Sequence, residues 1–187
     1  MKKQSMKQPT HTNTASAKAP SGHADPALYA LFVGTIRDLY WAENHLTMVL
    51  PKMIASSSSK TLKNAISKHL VETGRHVSRL EEIFELLKEK ALAKKCDAME
   101  GLTKEGEAII ETTPEGTRAR DIGIIFASQK VEHYEMASYT GAHLLATSLG
   151  YERAGALLQE TMKEEQRTDE LLSEMAVNML TKAPKNV

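Results

Sequence analysis

The sequence contains four long stretches in which apolar side chains recur at steps of three and four residues. This spacing places the apolar side chains on one face of an α-helix, so each stretch predicts a long amphipathic helix. Within all four stretches, however, Glu, Asp or His residues interrupt the apolar face near mid-length. Buried carboxylates are costly unless they are paired or bound to metal. The chain is therefore constrained to a helical fold that brings its buried ionisable side chains together.

Local signals predict where the helices begin and end. Asp25 can cap the first helix, with Pro26 in its first turn. Pro51 is expected to kink this helix near its end, and Gly150 stands in the usual helix-terminating position. The predicted helices cover about residues 25–56, 60–90, 96–110, 118–149 and 152–180, and the one at 96–110 is short.

The connections between these helices predict the topology. Tight turns near residues 56–59 and 150–151 should make the first and second long helices, and the third and fourth, pack antiparallel. The segment 91–117 is much longer and is interpreted as a crossover. We therefore expect an all-α, ferritin-like four-helix bundle of two antiparallel pairs, with an extra short crossover helix. The predicted bundle domain covers residues 25–182, between a disordered N-terminal tail at 1–24 and a C-terminal tail at 183–187.

Composition excludes some classes of function. Lys plus Arg and Asp plus Glu are both 24, so the chain has no net charge that would favour nucleic acid or an anionic membrane as a partner. The single cysteine, Cys96, excludes an internal disulfide framework. Residues 1–24 contain no apolar run resembling a secretory signal or a membrane span. A cytoplasmic protein is expected.

The interruptions of the apolar faces predict a metal site. A pair of divalent ions needs bridging carboxylates and terminal ligands at each end, and an oxygen-rich set with little nitrogen favours iron or manganese over zinc. Glu164 is expected to face water, His133 projects elsewhere, and His69 lies further along the same face of the second helix. The candidate ligands are Glu43 on the first long helix, Glu72 and His76 on the second, Glu132 and Glu135 on the third, and Glu165 and Asp169 on the fourth.

A metal-free explanation accounts for some of the same residues. Buried carboxylates can pair with basic side chains in an ionic network, and Arg75, Arg79 and Lys130 are the candidates here. Such a network can fix the register of helices at a cost in stability.

Several runs of residues also resemble the YciF-like family of bacterial stress proteins. The similarity spans about residues 28–180, and the runs KVEHYE and CDAMEGL are fairly specific to the family. The runs that carry it are RDLYWAE at 37–43, HLVET at 69–73 with His76, CDAMEGL at 96–102, KVEHYE at 130–135 and EEQRTD at 164–169.

The resemblance implies a rubrerythrin-like bundle, a homodimer and a di-iron centre, with no firmly assigned reaction. Glu43 matches the single glutamate of the first helix in the wider ferritin-like pattern, and Glu132 and Glu135 match the Glu-x-x-Glu of the third. The second and fourth helices depart from this pattern, which places Glu and His three residues apart. His76 follows Glu72 by four residues, and the fourth helix offers two carboxylates without a histidine.

Two functions of different classes are expected. The first is a stress-response protein with two iron ions, or manganese as the alternative, which reduces peroxide or oxygen with electrons from an external donor. Glu43 and Glu132 are then the expected bridges. The second is a metal-free or structurally metallated helical dimer that acts as a binding or protective module. A third interpretation, a ferritin-type cage that stores iron, requires many more subunits.

Overall fold

The computed structural model describes residues 25–181, which form five α-helices and, within this range, no strand. The predicted all-α fold of two antiparallel pairs and a short crossover helix is confirmed: α1 pairs with α2, α4 pairs with α5, and α3 packs on α4 and α1. The tails predicted at 1–24 and 183–187 lie outside the described residues. The helices are α1 (Pro26–Ser56), α2 (Lys60–Leu87), α3 (Asp97–Thr112), α4 (Arg118–Ser148) and α5 (Glu152–Thr181).

Most helix ends follow the predicted signals. The Asp25 carboxylate caps α1 by accepting hydrogen bonds from the amides of Ala27 at 3.0 Å and Leu28 at 2.9 Å. Gly150 has φ +78°, the left-handed conformation that ends α4. The predicted end of α2 near residue 90 was wrong, because Lys88 adopts φ 55° and its amide turns back to the carbonyls of Phe84 and Glu85. Helix α1 continues through Pro51 to Ser56.

The bundle interior has apolar material at both ends. One cluster, built around Phe32, Leu80 and Leu158, fills the end where α1 begins and α2 ends. The other, built around Leu46 and Leu172, fills the opposite end and includes side chains from α3. Buried glutamates and histidines occupy the interval between them on all four long helices. No helix within residues 25–181 combines the length and apolarity needed to cross a membrane.

A buried carboxylate fixes the two helix pairs relative to each other. Asp121, in the first turn of α4, is only 4% exposed. It accepts hydrogen bonds from the Ser58 amide at 2.7 Å, the Ser58 hydroxyl at 2.6 Å and the Ser59 amide at 2.9 Å. Because Ser58 and Ser59 form the turn between α1 and α2, these charge-assisted hydrogen bonds hold the first pair at the start of the second. The mid-helix levels of the two pairs are thereby brought into register.

Candidate metal centre

The four long helices place six Glu and His side chains at one level of the interior. Their backbones lie in regular helix, so each side chain's direction follows from its position in the helical repeat. All six are almost fully enclosed, with exposed fractions between 0% and 4%. They are Glu43 from α1, His69 and His76 from α2, Glu132 and Glu135 from α4, and Glu165 from α5.

These side chains form two groups of convergent ligand atoms. One atom from each member of a group lies within 4.8 Å of the others. The first group contains His69, Glu132, Glu135 and Glu165, and the second contains Glu43, His76 and Glu165. Only Glu165 belongs to both groups. If two ions bind here, Glu165 is therefore the residue that both could share, and the expected role of Glu43 and Glu132 as bridges stays a prediction.

Most carboxylate oxygens in the cluster have no hydrogen-bond donor among the described residues. A buried acceptor left unpaired carries its full desolvation cost, and such atoms are rare in native proteins. Glu43 has one partner, the Tyr139 hydroxyl, which donates to its Oε1 at 2.5 Å. The unpaired atoms are Glu43 Oε2, Glu132 Oε2, both oxygens of Glu135 and both oxygens of Glu165. Two divalent cations would satisfy such a set directly.

His76 is oriented by a carboxylate outside the cluster. Its Nε2 lies 2.9 Å from Glu164 Oε2, and Glu164 is itself held by Arg79. Its Nδ1 faces Glu165 Oε1 at 2.8 Å and Glu43 Oε1 at 3.3 Å, in neither case with hydrogen-bonding geometry. A histidine that donates from one ring nitrogen to a carboxylate presents the other nitrogen to a metal. The expectation that Glu164 faces water was wrong, because its contacts with His76 and Arg79 bury it to 8% exposure.

The electrostatics of the polypeptide alone favour protons or cations in the cluster. Burial, reinforced by neighbouring carboxylates, raises the pKa values of Glu132 and Glu135 well above the usual range. Burial, together with the nearby charge of His76, lowers the pKa of His69 to about 4. Burial alone would lower the pKa of His76, but Glu43 and the hydrogen bond to Glu164 raise it overall. Metal binding here would therefore displace protons from these carboxylates and from His76.

Two predicted ligands lie outside both groups. Glu72 is buried to 7% exposure, and its carboxylate lies 3.5 Å from the Lys68 ammonium one turn earlier in α2. Asp169 is half-buried and contacts His133 Nε2 at 3.3 Å and the Gln129 side-chain amide at 3.2 Å. The other five predicted residues, Glu43, His76, Glu132, Glu135 and Glu165, come together, and their role as ligands stays a prediction.

His69 is the residue that the sequence-based ligand set missed. Its Nε2 lies 3.5 Å from Glu132 Oε1 and has no hydrogen-bond partner. Seven residues, or almost two helical turns, separate His69 from His76, so both rings project on the same side of α2. That spacing was the available signal. With His69, the candidate set contains two imidazoles, although the fourth long helix, α5, contributes no histidine to it.

The fold and site thus define an all-α protein of two antiparallel helix pairs around a buried Glu/His cluster. A family model described as a domain of unknown function, DUF892, matches residues 27–184. The protein YciF of Escherichia coli K12 is 42% identical over 159 residues, which cover 83% of this chain and 94% of YciF. The chain therefore belongs to the DUF892, or YciF-like, family, as the resemblance implied.

Solved structures agree with this assignment. The E. coli stress protein YciF superimposes with a TM-score of 0.80 at 39% identity, covering 83% of this chain and 98% of the other. YcfI from Rhodopseudomonas palustris gives a TM-score of 0.75 at 29% identity, with coverage of 88% and 98%. A protein from Xanthomonas campestris pv. campestris, at 20% identity and a TM-score of 0.64, shares the fold over 82% of this chain and 93% of its own.

The stability of the metal-free protein is predicted to fall as the pH rises from about 6.5 to 8.5. His76 keeps its proton in the folded state above its ordinary pKa of 6.5, and the raised pKa values of Glu132 and Glu135 act in the same direction, so the folded chain holds more protons than the unfolded chain. His69, whose pKa is lowered from 6.5 to about 4, opposes this trend mainly below this range. Stability gained in this way is lost as the pH rises through the folded pKa values. Urea unfolding with a chelator present measures the trend.

The matched control is the double variant Glu132→Gln with Glu135→Gln, in which two of the three groups cannot titrate. Its free energy of unfolding should change less with pH than that of the wild type. A wild-type protein that becomes more stable between these pH values, or a double variant with an unchanged slope, would contradict the prediction.

Proposed function

We propose that this chain binds two divalent transition-metal ions, with iron as first choice and manganese as second, between the two helix pairs. The observation that carries the proposal is the set of buried carboxylate oxygens without donors. Two divalent ions balance the charge of four carboxylates, those of Glu43, Glu132, Glu135 and Glu165. The imidazoles of His69 and His76 complete an oxygen-rich set that suits iron or manganese better than zinc.

The proposed activity is the reduction of peroxide or oxygen during stress. Membership of a family that includes a stress protein supports the physiological setting. Bound ferrous ions would supply two electrons, one each, so that one hydrogen peroxide and two protons yield two waters. An external donor returns the electrons. The polypeptide would position the ions and exclude bulk water, and the two protons would come from solvent.

We place this activity in the cytoplasm. Cys96 is a free thiol buried at the start of α3, where its Sγ accepts from the Met99 amide at 3.4 Å. A reduced, enclosed cysteine suits a reducing compartment. Ferrous iron is also maintained best under reducing conditions.

A specific observation favours the second candidate, a structural ionic network without redox chemistry. In the polypeptide alone, protonated His76 lies between Glu164 on one side and Glu43 with Glu165 on the other. Arg79 extends this network towards Glu160 at the surface. Under this alternative the chain is a helical dimer with a protective or binding role. Glu132 faces only His69, whose pKa is lowered to about 4, and Glu135 has no basic partner among the described residues, which is why we prefer the metal centre.

We also propose that two copies of the chain form a homodimer through the groove between α1 and α4. Small residues line part of the groove, beside leucines, and a Cβ atom added at Gly34 or Gly141 would meet nothing within 4 Å. A glycine inside a helix costs about 1 kcal/mol relative to alanine. The oppositely charged Asp38 and Lys94 also line the groove, and a twofold axis can pair such groups between copies.

The first prediction from the metal centre concerns loading. Wild-type protein incubated anaerobically with ferrous iron should retain about two ions per chain, and its melting temperature should rise with iron concentration. Glu165→Gln should lose most of both ions, because Glu165 belongs to both ligand groups. Elemental analysis after desalting measures the content.

The matched control is Glu170→Gln, which changes an exposed glutamate on the same helix. It should load like the wild type. Wild-type protein that retains no iron, or a Glu165→Gln variant that retains as much as the wild type, would refute the proposed metal centre and favour the ionic network.

The proposed redox activity fixes the ratio of peroxide consumed to iron bound. Ferrous-loaded protein should consume one peroxide per two iron ions in a first turnover, faster than the same iron free in solution. Glu135→Gln removes a carboxylate that has no other partner, so it should reduce both iron content and peroxide consumption. Stopped-flow spectroscopy with a peroxide assay provides the measurement. Full iron loading without faster peroxide or oxygen consumption would identify a structural or storage site.

The dimer prediction uses Gly141→Leu, which fills the α1–α4 groove. Light scattering after size exclusion should give a dimer for the wild type and a monomer for the variant. Gly74→Leu is the control, because Gly74 also lies within a helix with open space around it but outside the groove. A wild-type monomer, a cage of many subunits, or a dimeric Gly141→Leu variant would each refute the proposed interface.

A further inference from the structure

A small cavity with Glu132 in its wall lies beside the candidate metal centre. It lies between α1, α3 and α4 and has a volume of ≈ 20 Å³. Leu102 and Ser128, which are half-buried, also line it. A cavity of this size accommodates about one water or diatomic molecule. Glu132 also lines a smaller cavity of ≈ 10 Å³ on the side of α2 and α5.

The wall of the first cavity is mostly apolar, with Thr103, Ser128 and Glu132 as its polar residues. Leu46, Val49 and Met53 line it from α1, and Val131 lines it from α4. The Thr103 hydroxyl, one of its few polar groups, is already engaged by the carbonyls of α3, donating towards Met99 at 3.0 Å. A hydrated ion would lose its water without compensation on this path. The wall therefore suits a small uncharged molecule.

A glycine on α3 determines the width of this cavity. A Cβ atom at Gly106 would lie 2.5 Å from the terminal methyl of Met53 and 3.6 Å from the Cβ of Ala127. Both Gly106 and Met53 line the cavity. Because Met53 is unbranched and flexible, its end can move away from an added methyl group. A methyl group at position 106 therefore displaces the Met53 side chain within the wall.

We infer that this apolar cavity is the route by which dioxygen, in preference to peroxide, reaches the Glu132 side of the metal centre. The inference rests on the proposed function, since it assigns the substrate of that same site. Dioxygen is apolar and partitions into an apolar cavity, whereas hydrogen peroxide must give up hydrogen bonds with water to enter it. Glu132, which lies in the wall of the cavity, belongs to the ligand group that also contains His69 and Glu135.

The first test needs no metal. Xenon is apolar and binds cavities that admit oxygen. Crystals of metal-free wild-type protein under xenon pressure should show xenon between Leu46, Met53 and Val131. Val131→Phe fills the cavity and should abolish that site, whereas Val71→Phe, a change at an exposed position on α2, should leave it unchanged.

The second test uses ferrous-loaded protein and compares two oxidants. Val131→Phe should slow oxidation by dioxygen about tenfold while iron content stays at the wild-type level. Gly106→Ala is a milder change that moves Met53. It should slow oxidation by dioxygen by a smaller factor than Val131→Phe. Oxidation by peroxide should change little in either variant. Val71→Phe should match the wild type with both oxidants.

These experiments test the proposed dioxygen route and the proposed metal site separately. Iron-loaded protein without a xenon site, or with an unchanged dioxygen rate in Val131→Phe, overturns the route and leaves the metal centre intact. Equal slowing with dioxygen and peroxide overturns the proposed preference for dioxygen. Protein that shows the xenon site but binds no iron overturns the proposed function, and the assigned substrate with it.

Discussion

The burial of four carboxylates at one level of the helix bundle is the constraint on which the rest of the structure depends. Glu43, Glu132, Glu135 and Glu165 are each at most 1% exposed, and removing a carboxylate from water costs several kcal/mol even after the surroundings relax. Burial of the apolar clusters at both ends of the bundle contributes favourable free energy that offsets this cost. A sequence selected only for stability would continue the apolar stripes through this level. The polar layer therefore needs an explanation other than stability, and the one we propose is metal binding.

The ionic network around His76 is compatible with the proposed metal centre, because the same contacts suit both states. Arg79 contacts Glu164, Glu164 contacts His76 Nε2, and His76 Nδ1 faces the cluster. Without metal, a proton on Nδ1 partly offsets the charge of Glu43 and Glu165. If metal binds, the same contacts would hold the ring so that Nδ1 is available as a ligand. Glu164 therefore has a role in both states, which explains why a residue next to a ligand is itself buried.

Helical periodicity predicted the fold and much of the site, because the direction of a helical side chain follows from its position in the repeat. Five of the seven proposed ligands come together in the interior, and Asp25 and Gly150 end their helices as expected. The direction of a side chain alone does not determine how deeply it is buried or which side chain of a neighbouring helix it contacts. Glu72 lies near Lys68 at the edge of the inner face, and Asp169 near His133. The inward position of Glu164 depends on Arg79, a partner that a single helix does not reveal.

Anomalous diffraction from crystals grown with ferrous iron or manganese would show whether two metal ions share Glu165. We expect two anomalous peaks about 3.5–4 Å apart, the spacing of two-metal sites, with Glu165 between them. His69, Glu132 and Glu135 should surround one peak, and Glu43 and His76 the other. The absence of peaks in the cluster, with His76 hydrogen-bonded directly to Glu43 or Glu165, would contradict the metal centre and identify a structural ionic network.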